Sequence, residues 1–198
     1  MTYPVMAADV RTLLDKQGIK RSDLIGHSMG GKAAMWLALT EPERVNRLVV
    51  VDIAPVRYDH SLQDIVQILR RLPLDHVTRR EEADDWLAQH IPEPALCQFL
   101  LKNLIWRGNR YTWRINLATI ENAMPDLMAF PAVDRVRPFQ GRALFIAGKR
   151  SSYVLREHHT AIERLFPRAS IEQLPDAGHW LHSEQPEQFL AIVQRFLQ

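Results

Sequence analysis

Gly26-His27-Ser28-Met29-Gly30 spells G-x-S-x-G. A serine in that setting, on a sharp turn from strand to helix, presents its hydroxyl as a nucleophile above a sheet. Gly26 to Lys32 also spells G-x-x-x-x-G-K, most of a phosphate-binding loop. That loop needs Ser or Thr after the lysine to hold Mg²⁺, and Ala33 stands there instead. Asp52, closing an apolar run, could serve as the second metal-holding carboxylate. With the hydroxyl missing, nucleotide hydrolysis is the weaker alternative. The serine reading uses more residues. Gly26 and Gly30 allow strand and helix to approach closely, and Ser28 falls at a helix N-terminus, where developing negative charge is favoured. The backbone N–H of Met29 then faces an oxyanion.

A serine hydroxyl needs a base, and a base needs an acid to fix its tautomer. Of eight histidines, His179, in Asp176-Ala177-Gly178-His179-Trp180, follows a strand and a glycine turn near the C-terminus. The order Ser, acid, His fits this architecture. His27 is expected to point to the opposite side of its strand end. His158 and His159 read as helix surface, and His182 as structural. His60, His76 and His90 have ordinary readings inside an insertion. The loop Gly148 to Val154 contains no carboxylate, so Asp52 is the expected acid. At the end of Leu48–Val51 it needs partners to be buried. Asp176 reads as a turn residue.

These groups must be carried by alternating strands and helices. Helices are expected over 5–17 (Val10, Leu13 and Leu14 inward), 30–40, 155–166 and 185–197. Strands are expected at 22–27, 47–52, 143–147 and 171–174. The β-branched run at 47–52 is typical of a parallel strand covered on both faces. Residues 55–140 read as a helical insertion, with helical periodicity in SLQDIVQILRRL, TRREEADDWLAQHI and EPALCQFLLKNLIW. RYTWRIN is a possible strand, and Pro73, Pro92, Pro125, Pro131 and Pro138 punctuate the region. The expected class is therefore α/β, with a core of 1–54 and 141–198 and a helical insertion at 55–140.

The totals exclude several classes. A net charge of +2 over 198 residues gives no basic stripe for nucleic acid. The single cysteine, Cys97, rules out a disulfide framework and a cysteine zinc site. No secretory leader and no membrane-length apolar run is visible, so a soluble cytoplasmic protein is expected.

GHSMGGKA, VVVDIAPV, LFIAGKRSSYV and DAGHWLHSEQPE, with W-R-I-N at 113–116, together resemble the α/β-hydrolase family, in its small bacterial YbfF-type esterase branch. The resemblance implies a Ser28–Asp52–His179 triad and a helical cap over the site. It also implies acyl esters or acyl-CoA thioesters as substrates, and no metal or organic cofactor. Lys149 and Arg150, where the branch carries small or polar residues, suggest a preference for anionic substrates. The family carries four strands before the elbow strand, including the loop that gives the second oxyanion N–H, about 60 residues' worth. Here one helix precedes Ser28. The chain thus resembles the C-terminal two thirds of the family, with an N-terminally truncated parallel sheet. The expectation is an open strand edge prone to self-association, and poor folding or a catalytically impaired, even non-catalytic, fragment.

Overall fold

The computed structural model describes residues 1–59 and 63–198; His60, Ser61 and Leu62, with the readings placed on them, lie outside the described residues. The chain runs α1 (Tyr3–Lys16), β1 (Ser22–His27), α2 (Met29–Thr40) and β2 (Val45–Val51). It continues through α3 (Gln63–Arg71), α4 (Arg80–Ala88), α5 (Pro94–Leu101), β3 (Leu104–Arg107), β4 (Arg110–Trp113) and α6 (Leu117–Met128). It closes with β5 (Arg142–Gly148), α7 (His159–Leu165), β6 (Ala169–Leu174), α8 (Leu181–Glu184) and α9 (Pro186–Leu197). Thr2–Arg57 with Ala129–Gln198 form one compact unit and Tyr58–Met128 another. The expectation placed the insertion at 55–140; the division falls at 57/58 and 128/129.

In the first unit β1, β2, β5 and β6 make a parallel sheet in the order β1-β2-β5-β6. β2 lies inside it, and Leu48 to Val51 are buried, as a β-branched run covered on both faces requires. Side chains alternate across that strand. Val49 and Val51, with Leu144 and Ile146 of β5, pack under Phe189, Ile192, Val193 and Phe196 of α9. On the opposite face Val50 meets α2 at Gly31, and Phe145 meets Phe166 edge-on, with ring centroids 5.5 Å apart. β1 is an edge strand whose partner among the described residues is β2, and its Ile25 is 53% exposed. In α1 the buried stripe is Tyr3, Ala7 and Leu14; Leu13, expected inward, is exposed because it lies about 100° round the helix from Leu14.

The second unit has its own core, in which Leu69, Leu87, Leu101, Leu104 and Cys97 are enclosed. Two expectations are corrected there. EPALCQFLLKNLIW is not one helix: α5 stops at Leu101, and Leu104–Arg107 pairs antiparallel with Arg110–Trp113. Gly108 and Asn109 at the tip have φ of 59° and 65°. Two positive φ angles make a type I′ turn, whose twist matches a two-residue hairpin. That turn outcompetes the helical periodicity of the preceding segment. Pro125 does not end a helix but lies inside α6, where packing of Leu117, Ala123 and Met124 offsets the hydrogen bond its ring removes. Among the described residues, no helix is long and apolar enough to cross a membrane.

Candidate active site

Ser28 sits between β1 and α2 with φ 52° and ψ −120°, a conformation non-glycine residues rarely adopt. The turn is held by Ser28 N–H donating to the Val51 carbonyl (2.9 Å), and by Gly31 N–H and Lys32 N–H donating to the Ser28 carbonyl. The glycines at 26 and 31 are steric necessities. A Cβ on Gly26 would lie 2.4 Å from the Gly30 carbonyl oxygen, and one on Gly31 would lie 2.6 Å from Ile53. A Cβ on Gly30 would meet nothing within 4 Å, so the motif's second glycine is not required by packing. Met29 is the first residue of α2, and its N–H has no acceptor within the helix, leaving it available to an anion beside Ser28.

His179 Nε2 lies 3.1 Å from Ser28 Oγ, and His179 Nδ1 lies 2.8 Å from Asp52 Oδ2. The carboxylate can only accept, so Nδ1 carries the proton and Nε2 faces the serine hydroxyl as an acceptor. Asp52, at the end of β2, is fully buried and has φ 51°. Its charge is tolerable because three donors surround it: Gly148 N–H on Oδ1 (3.0 Å), and Ser151 Oγ–H and His179 Nδ1–H on Oδ2. Gly148 has to be glycine, since a Cβ there would stand 2.2 Å from the Gly178 carbonyl oxygen. Thus Ser28, Asp52 and His179, with His179 separated from its partners by 151 and 127 residues of chain, form one line of hydrogen bonds.

Five features of the site and its surroundings escaped the sequence. Ser151 donates to the acid from the loop that holds no carboxylate; a hydroxyl there is the signal. Tyr153 stacks on the His179 ring, with centroids 4.2 Å apart, and burial first and the Asp52 charge second push its phenol pKa up, keeping it neutral. His27 does not point away: its Nε2–H donates to the His179 carbonyl (2.8 Å), and its ring lies 4.7 Å from that of His179. Burial holds the His27 pKa below its usual value. His158 and His159 are half-buried, not surface residues; His158 Nδ1 accepts from Leu155 N–H, capping the turn before α7.

The fifth concerns charge. Arg150 was expected to attract anionic substrates, yet its Nη2 donates to the Asp176 carbonyl (2.7 Å) and to Glu184 Oε2 (3.0 Å). Lys32, the lysine of the phosphate-loop alternative, is 1% exposed and donates to the carbonyls of Val56 (2.9 Å) and Ala129 (2.7 Å). A phosphate would have to displace both. No group of three or more histidine, cysteine or acidic side chains among the described residues is arranged to hold a metal ion.

Residues 1–186 match the model of the alpha/beta hydrolase fold family. The chain belongs to this family. Among curated proteins it is 42% identical to the mouse sn-1-specific diacylglycerol lipase ABHD11, over 99% of this chain and 65% of the mouse protein. It is 34% identical to the Escherichia coli esterase YbfF, over 100% of this chain and 75% of that protein. The chain therefore spans just under two thirds of the mouse relative's length. Among solved structures a marine microorganism esterase superposes with a TM-score of 0.95 at 34% identity, covering 99% of this chain and 77% of the esterase.

Proposed function

We propose that the site performs serine-dependent hydrolysis of carboxylic esters or acyl thioesters through an acyl-enzyme. The observation that carries this reading is the unbroken line from Ser28 Oγ through His179 to buried Asp52. The names of the relatives, a diacylglycerol lipase and an esterase, supply the bond class.

In this reading Ser28 Oγ attacks the acyl carbonyl carbon while His179 Nε2 takes its proton. Asp52 holds Nδ1–H and stabilises the imidazolium formed. The carbonyl oxygen, now anionic, faces the Met29 N–H at the start of α2. As the tetrahedral intermediate collapses, His179 returns the proton to the departing alcohol or thiol. Water then attacks the acyl carbon as His179 takes its proton, and the second tetrahedral intermediate collapses by breaking the bond to Ser28 Oγ, which recovers that proton from His179 as the acid leaves. Every proton moves between groups of the chain, the substrate and the attacking water, so the cycle as proposed needs no metal or organic cofactor.

Initial rates on a p-nitrophenyl acyl ester, the matching acyl-CoA and a diacylglycerol separate the substrate classes. Hydrolysis of the ester or the thioester is expected. With Arg150 committed to the His179 loop, CoA should confer less than about a tenfold advantage over a neutral thioester of the same acyl chain. A larger advantage would place an anion site elsewhere. No turnover of any of the three by folded chain would contradict the proposal.

A further inference from the structure

We infer that Glu184 is a positioning residue for His179, gripping the main chain on both sides of the base. Its Oε2 accepts the Gly178 N–H (2.9 Å) and its Oε1 accepts the Trp180 N–H (3.1 Å), the two residues that flank His179. Arg150 Nη2 also donates to Oε2 (3.0 Å) and to the Asp176 carbonyl (2.7 Å), tying the carboxylate to the start of the same loop. From the other side His27 donates to the carbonyl of residue 179 itself (2.8 Å).

The base needs such a grip. His179 lies on a turn between β6 and α8, outside any strand ladder, and Asp176 in that turn has a φ of 54°. The imidazole must nevertheless meet Ser28 and Asp52 at once, at 3.1 Å and 2.8 Å. Glu184 is the last residue of α8, whose Leu181 is wholly buried, so the carboxylate is delivered from an anchored turn. Two amide donors and a guanidinium converge on it, and a carboxylate is the side chain that accepts from all three. In the Glu184→Gln variant an NH₂ would face one of the amides. Misplacing a reacting group by about 1 Å costs up to about 10²-fold in rate.

The inference rests on the proposed Ser28 chemistry, so the test reads both. Glu184→Ala, Glu184→Gln and Arg150→Ala are compared with wild type in four measurements. These are the rate of fluorophosphonate labelling, kcat and KM on an acyl ester, thermal melting, and the far-downfield proton NMR signal of His179 Nδ1–H. Losses in kcat and labelling should rank Arg150→Ala (a few-fold), Glu184→Gln, then Glu184→Ala (about 10- to 100-fold). KM should stay within about threefold, and the downfield signal should weaken in the same order. If Glu184→Ala does not fold, the other two variants still read the grip. The inference is overturned if the folded variants label and turn over within twofold of wild type, or if each loss equals the unfolded fraction. Wild type that fails to label defeats the Ser28 reading itself; wild type and variants that label alike defeat Glu184 alone.

Discussion

Asp52→Asn is expected to lower kcat by about 10⁴-fold, the loss seen when the acid of a serine protease triad is changed to its amide. Every hydrogen bond to the Asp52 carboxylate comes from a donor: Gly148 N–H, Ser151 Oγ–H and His179 Nδ1–H. A carboxylate accepts from all of them. An amide has one oxygen and an NH₂ that must face one of these donors. The histidine can relieve that clash by moving its proton to Nε2, which then points N–H at Ser28 and cannot take the serine proton. The backbone should survive, because asparagine tolerates the positive φ of 51° better than most residues. Turnover of the ester, melting temperature and the ¹⁵N shifts of the imidazole together check this. A folded variant within tenfold of wild type would mean that another group orients the base.

Lys32 makes the second large prediction, on stability. Its ammonium is enclosed by the Tyr3 ring, 5.6 Å from Nζ to the centroid, and by the Val56 and Ala129 carbonyls. Burial pulls its pKa from 10.5 to about 7. The folded-state value is the lower one, so between about pH 7 and 10.5 the unfolded chain binds more protons than the folded chain. Stability therefore rises with pH across that window, and below about pH 7 the cost of burying the charge is present in full. The slope is at most about 1.4 kcal/mol per pH unit, or about 3 kcal/mol between pH 7 and 9.5. Tyr3, whose phenol pKa burial raises, removes stability only above its ordinary value near 10. Urea unfolding of wild type and Lys32→Met from pH 7 to 9.5 should give a rising curve for wild type and no rise for the variant, only a fall near pH 9 where the unfolded Cys97 thiol ionises and the folded one, its pKa raised by burial, does not. Parallel curves would mean that the two carbonyls hold the ammonium at its ordinary affinity.

Local grammar explains what could be read from the sequence. The elbow needs small residues beside Ser28, and a β-branched run ending in an acid is conspicuous because a buried carboxylate needs a reason. Each feature is local, the elbow within Gly26 to Gly31 and the run within Leu48 to Asp52. The partners of that acid do not: Ser151 and Gly148 are 99 and 96 residues away, and His27 reaches His179 across 152. No periodicity encodes such contacts. Glu184 is closer in sequence, six residues from Gly178, yet its target is main chain, which leaves no side-chain signature. In the second unit, Leu104–Arg107 shares its apolar residues between a helical and a strand pattern. The choice rests on two positive φ angles at Gly108 and Asn109. Lys32 belongs to a recognisable motif but serves another end, because the chain leaving at Val56 and returning at Ala129 offers it carbonyls in place of phosphate.

The most direct measurement is fluorophosphonate labelling of the folded chain beside Ser28→Ala. Such a probe reacts with a serine whose proton a neighbouring base can take, whatever the natural acyl group. The account predicts stoichiometric labelling of wild type at Ser28 and none of Ser28→Ala. Folded wild type that stays unlabelled, or labelling that persists in Ser28→Ala, would contradict it.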